Sequence, residues 1–121
     1  MENNPKFRLE MARGDSYERT FVLKDKATGE PVTDIYSEVY FTVKKYSTDH
    51  DYLFQKRMAT GGITTEGDGK YTIFILPEDT NELAFGEYDC DLEFVNNAED
   101  YKRTFYGKIE LTREVTHAYN E

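Results

Sequence analysis

An all-β antiparallel sandwich of about seven strands, with one short helical turn, is the fold this sequence predicts. Hydrophobic residues recur with a period of two along almost the whole chain, which sends one set of side chains inward and the other to solvent. Glycine-bearing turns interrupt those runs at the short intervals a sandwich requires. Hydrophobic residues make up only 38%, but ten Tyr and eight Phe are among them. A disordered chain is poor in aromatic and β-branched residues, and this one is rich in both.

Phe7, Leu9 and Met11 predict the first strand, and Tyr17, Phe21 and Leu23 the second, with Arg13-Gly14-Asp15-Ser16 turning between them. Lys26-Ala27-Thr28-Gly29-Glu30-Pro31 is a second turn, with Gly29 suited to a positive φ. Val39, Phe41 and Val43 then alternate with Glu38, Tyr40, Thr42 and Lys44, and a less regular strand is expected from Leu53 to Met58. Gly61-Gly62 and Glu66-Gly67-Asp68-Gly69 bracket a short Ile63-Thr64-Thr65 stretch. Asp68-Gly69 signals a tight turn into the strand carrying Tyr71, Ile73 and Ile75 against Lys70, Thr72 and Phe74. Pro77 to Leu83 predicts barely two helical turns, because Pro suits the first helical position and Glu78 and Asp79 suit the dipole there.

The alternation is cleanest in Tyr88, Cys90, Leu92 and Phe94 against Glu87, Asp89, Asp91 and Glu93. Asn96 to Asp100 forms a hairpin loop into the last strand. That strand sets Arg103, Phe105, Gly107, Ile109 and Leu111 against Lys102, Thr104, Tyr106, Lys108 and Glu110. Residues 1–121 are expected to be one domain, with a core spanning about 7–112 and a flexible tail at 113–121. In an immunoglobulin-like arrangement the strand from Gly86 to Val95 lies between those of Glu38–Lys45 and Tyr101–Thr112. Its acidic stripe then faces Lys44 on one neighbour and Lys102 and Lys108 on the other, and such opposite-charge pairs help to set register.

A net charge of −9 and a pI of about 4.7 argue against a nucleic-acid or anionic-membrane partner, since phosphate-backbone affinity rests on clustered Lys and Arg. The longest clean apolar run, Ile73-Phe74-Ile75-Leu76, is far too short to span a bilayer. Cys90 stands alone, so no intrachain disulfide is expected, and the opening residues lack a secretory pattern; a cytoplasmic origin is the expectation.

No catalytic, cofactor or metal site is expected. The carboxylates of the acidic stripe project in parallel some ~7 Å apart rather than converging on a cation. Asp49-His50-Asp51 lacks the further ligands a zinc centre needs, and reads as an exposed loop. Cys90, flanked by Asp89 and Asp91, reads as a buried hydrophobe. Arg13-Gly14-Asp15 reads as a turn rather than an integrin motif, and Asp68-Gly69 lacks the carboxylate series of a calcium loop. Tyr40, Tyr106 and Phe74 lie on the polar parity of three strands and are the candidate interface residues.

The order of these pieces resembles a known family. The first half carries Gly14-Asp15-Ser16, then Phe21-Val22-Leu23-Lys24-Asp25, Gly29-Glu30-Pro31-Val32 and Val39-Tyr40-Phe41-Thr42-Val43-Lys44-Lys45. The second carries Asp68-Gly69-Lys70-Tyr71-Thr72-Ile73, Leu76-Pro77-Glu78-Asp79-Thr80, Leu83 and Gly86-Glu87-Tyr88-Asp89-Cys90-Asp91-Leu92-Glu93. Gly107-Lys108-Ile109-Glu110-Leu111 and Glu114-Val115-Thr116 follow. From residue 14 to 116 this series is similar to the N-terminal immunoglobulin-like domain of tailed-phage baseplate upper proteins and related virion proteins. The resemblance implies a non-enzymatic tail or baseplate part, assembled in a bacterial cytoplasm through contacts with other virion proteins or with itself. It brings no catalytic residues. Family members often continue into fibre-like or receptor-binding regions, which this sequence does not show, so an assembly or adaptor role is expected over host binding. The alternative is a carbohydrate- or ligand-binding module of similar fold, although the chain has no Trp to serve as a sugar platform.

Overall fold

The computed structural model describes residues 5–33 and 36–113. Eight strands run in the order β1 (Phe7–Ala12), β2 (Tyr17–Val22), β3 (Glu38–Lys44), β4 (Phe54–Arg57), β5 (Ile63–Gly67), β6 (Lys70–Ile75), β7 (Gly86–Asn96) and β8 (Tyr101–Thr112). One helical turn, α1 (Pro77–Thr80), separates β6 from β7. The strands form two sheets, β1-β8-β7-β3-β4 and β2-β6-β5. This is an immunoglobulin-like sandwich, with β3, β7 and β8 in the places of strands C, F and G, and β2, β6 and β5 in those of B, E and D. β7 lies between β3 and β8, as the immunoglobulin-like arrangement predicts, with Asp89 opposite both Lys44 and Lys108.

Four expectations need correction. Ile63–Gly67 is a strand in its own right, pairing with β6 through a bulge between Thr65 and Gly67. Four of its five residues are exposed, so it shows little alternation in the sequence. The sandwich is not wholly antiparallel: β1 runs parallel to β8, with Phe7 opposite Gly107 and Met11 opposite Leu111. The strand expected from Leu53 to Met58 runs only Phe54–Arg57, and Met58–Thr60 turns away as a 3-10 segment that closes at Gly61. The helix is one turn, not two. Thr80 at its end is fully buried and accepts a hydrogen bond from the Gly14 N–H at 2.8 Å, while Leu83 folds back onto the Thr80 carbonyl. The expected tail lies, from residue 114 onward, outside the described residues.

The core is built from the inward parity the sequence marks: Leu9, Val39, Phe41, Ile73, Leu92, Phe94 and Ile109 are all essentially sealed from solvent. Phe94 sits at its aromatic centre, with ring centroids 5.0 Å from Tyr71, 5.3 Å from Tyr36 and 6.0 Å from Phe105. Such tilted and edge-on contacts add to the gain from burial alone. Tyr88 donates its hydroxyl to the Ala84 carbonyl at 2.6 Å, which pins the start of β7 as the tyrosine corner of immunoglobulin-like domains does. Cys90 follows two residues later, where many such domains place one half of an inter-sheet disulfide. β2 has no cysteine to meet it, and the thiol is packed as a small apolar group.

Candidate functional site

The outer face of the five-stranded sheet holds two of the three candidate interface residues. Tyr40 on β3 stands opposite Glu93, and Tyr106 on β8 stands opposite Asp91, so the two flank the acidic strand as expected. Both are half-buried. Phe74 is not with them. It lies on the outer face of the three-stranded sheet, on the far side of the sandwich, beside Gly62 and Leu76.

Tyr106 belongs to a closed polar cluster. Its hydroxyl and the Lys108 ammonium both donate to Asp89 Oδ1, at 2.7 and 2.6 Å, and the Ser47 N–H donates to Oδ2 at 2.7 Å. Burial pushes the Asp89 carboxyl up, but these bonds, that of Lys108 foremost, outweigh it and hold the group below its ordinary value. Burial and the Asp89 bond raise the Tyr106 phenol, and the Asp89 bond keeps Lys108 firmly protonated. Asp91, the next carboxylate on the strand, is different. Burial first and Glu93 second push it above the usual range, while Lys44 and Lys102 offset only part of that. Lys44 gives its own hydrogen bond to the Asp49 carbonyl instead.

Around this cluster the charged ladder is paired within itself. Arg8 reaches Glu87 at 2.7 Å and Glu110 at 3.2 Å, Lys102 lies 3.6 Å from Glu93, and Arg57 contacts Glu38 at 3.2 Å. The Arg57 guanidinium also lies over the Tyr40 ring at 5.1 Å. Three of the stripe's four carboxylates, Glu87, Asp89 and Glu93, thus pair with cations on other strands, and they are spread along the face rather than gathered.

The other candidates resolve locally. Asp49 closes the β3–β4 loop by accepting from the Tyr46 N–H, whereas the His50 side chain is 99% exposed and lies 3.2 Å from Asp51. Among the described residues, no three His, Cys, Asp or Glu side chains gather as metal ligands. Burial pushes the Cys90 thiol far up, with Asp91 and Asp89 adding to it, so the nucleophilic thiolate is suppressed. Arg13 donates to the Leu83 carbonyl and stacks over Phe85 at 4.2 Å, so the Arg-Gly-Asp string is a turn tied to the body. In the second turn motif, Gly67, Asp68 and Gly69 all take positive φ and form the tight turn between β5 and β6.

Two surface features escape the sequence pattern. The β3–β4 loop displays Tyr46, 60% exposed, and Tyr52, 52% exposed, next to Leu53. The loop is held from below by the Asp49 and Ser47 bonds, so its aromatics are presented on a firm base. The second feature is an apolar cavity of about 260 Å³ between β1 and β2, which depends on strands far apart in the chain. No protein-family model and no curated protein sequence matches this chain.

Proposed function

We propose that the chain is a non-enzymatic structural component of a phage or prophage particle, a tail or baseplate part that works through protein contacts. The observation that carries this reading is the ordered series of turn and strand motifs from residue 14 to 116 that resembles the baseplate upper protein domain. The immunoglobulin-like strand order is in keeping with it. So is the chemistry of the acidic strand, where Glu87, Asp89 and Glu93 pair with cations of other strands and the Cys90 thiol is held protonated. The contact surfaces assigned in this reading are the outer face around Tyr40 and Tyr106, the region of Phe74, and the β3–β4 loop with Tyr46 and Tyr52. The partners are other virion proteins or further copies of the chain.

The test is co-purification. In a native host treated to induce its prophages, particles banded by density should contain the chain in a fixed ratio to other tail proteins. A chain that stays wholly in the soluble fraction while complete particles form without it overturns the proposal.

A further inference from the structure

β1 and β2 are the outer strands of opposite sheets and stand on the same side of the sandwich. Between them lies an open apolar cavity of about 260 Å³, beneath which the core residues Leu92 and Phe94 stay almost sealed from solvent. Its floor is made by Leu92, Phe94 and Phe105, inward residues of β7 and β8, and its walls by Phe7, Phe21 and Leu23. Phe7 and Phe21 meet edge to face at 5.1 Å. Phe7, Phe21 and Phe105 are all only partly buried. Val22, 44% exposed, forms the lip.

The charge around this cavity is opposite to that of the molecule. Lys6 lines it directly. Arg19 lies over the Phe21 ring at 5.3 Å, and Arg103 over the Phe105 ring at 4.9 Å. None of these three cations has an ion-pair partner among the described residues, whereas Arg8, Arg57, Lys56 and Lys108 are all engaged. Arg103 also borders a groove lined by Asp25 and Glu30, so Lys6 and Arg19 should carry more of the attraction. In a chain of net charge −9, one unpaired cation lining an apolar cavity and two more stacked on rings that line it favour one kind of occupant.

We propose that this cavity binds a small amphiphilic anion, a carboxylate bearing a single ring or a medium-length alkyl chain. The apolar body lies between the sheets and the carboxylate meets Lys6 and Arg19. A dry cavity of ~150 Å³ lined by Leu, Ile and Phe takes a benzene molecule, so this one holds a ring with a short arm or an alkyl chain of similar bulk. A sugar is disfavoured there, because the floor and walls are apolar side chains with no converging polar groups. The binding is additional to the structural role and does not rest on it.

The test is a titration of the isotope-labelled full-length chain with octanoate, kept below its micelle concentration and followed by amide chemical shifts. Expected are saturable shifts at Phe21, Leu23 and Phe105, weaker binding of the uncharged 1-octanol, and at least fivefold weaker octanoate binding in the double variant Lys6→Gln/Arg19→Gln. Val22→Trp, placed at the exposed lip, should block both ligands. Should the double variant fold poorly, added salt on the unaltered chain serves instead, weakening octanoate and not octanol. No saturation, or shifts centred on the Tyr46–Tyr52 loop, overturns the site. Equal binding of octanol and octanoate, indifferent to charge and salt, overturns the assignment of an anion.

Discussion

Asp89 and Asp91 sit two residues apart on one face of one strand and are driven in opposite directions. Asp89 has three donors and a depressed pKa, so its contribution is present above the unfolded carboxylate value and fades as pH falls through the folded one. Asp89→Asn is expected to cost about 1–3 kcal/mol at pH 7, because Lys108 loses its nearest carboxylate, with only Glu87 left at 3.9 Å, and a tightly bonded carboxylate is gone. In urea melts that cost should shrink as the pH drops below ~4. Asp91 has a raised pKa, so the sign reverses: its ionised form opposes folding at neutral pH, and the penalty vanishes below the unfolded value. Asp91→Asn should therefore raise stability at pH 7 by up to about 1 kcal/mol and do nothing at pH 3; an unchanged midpoint at pH 7 would contradict this. A third residue-scale case is Gly107. An added Cβ there meets the Phe7 ring at 2.5 Å, so Gly107→Ala should cost about 1–3 kcal/mol by overpacking. The same change in a Phe7→Ala background should be nearly neutral, and equal costs in both backgrounds would show that the ring is not the obstacle.

Turns and strand edges show where the sequence was readable and where it was not. The inner strands β3, β6, β7 and β8 bury mainly one parity, with Glu38 and Asp89 the polar exceptions, and that alternation of apolar residues is visible in the sequence. β5 hides because it lies at an edge, where only Ile63 is buried, and pairing there is made by backbone that any side chain can accompany. The parallel run of β1 beside β8 hides for another reason: alternation reports which face is buried, not the direction of the neighbour. The candidate site follows the same logic. The positions of Tyr40 and Tyr106 on either side of the acidic strand are legible in the sequence because register carries parity across a sheet, whereas the sheet of Phe74 is not, and it lies in the other one. The cavity between β1 and β2 has no signature, since no two of its contributing elements make a local pattern. The Tyr88-x-Cys90 spacing was a signal in plain view, marking the corner before β7. Among the turns, Gly69 is the most constrained: φ is +76° and an added Cβ lies 2.6 Å from the Leu23 carbonyl oxygen. Gly61 has φ of +87° but open space around it. Gly61→Ala should cost only the left-handed strain, about 1–2 kcal/mol, and Gly69→Ala clearly more; equal losses in thermal melts would refute a role for the close approach.

For the whole molecule the question is whether these surfaces assemble. A net charge of −9 on 121 residues sets copies repelling one another, and the repulsion reaches about 10 Å at 0.1 M salt. Any association must therefore rest on specific contact, and the exposed Tyr46 and Tyr52 supply apolar area on a loop whose base is fixed. In the role proposed above, as part of a rotationally symmetric tail, the chain is expected to form one closed oligomer rather than an open series. Light scattering after gel filtration, from micromolar to near-millimolar protein, should then show a single mass above the monomer, more populated at 0.5 M salt than at 0.05 M. Changing Tyr46 and Tyr52 together to Ser should return the monomer without lowering the melting temperature, because neither ring is part of the core. A mass that climbs without limit would mean a heterologous contact that does not close. A monomer at every concentration and salt would remove self-association and confine the proposed role to contacts with different proteins, leaving the loop as the surface to follow into them.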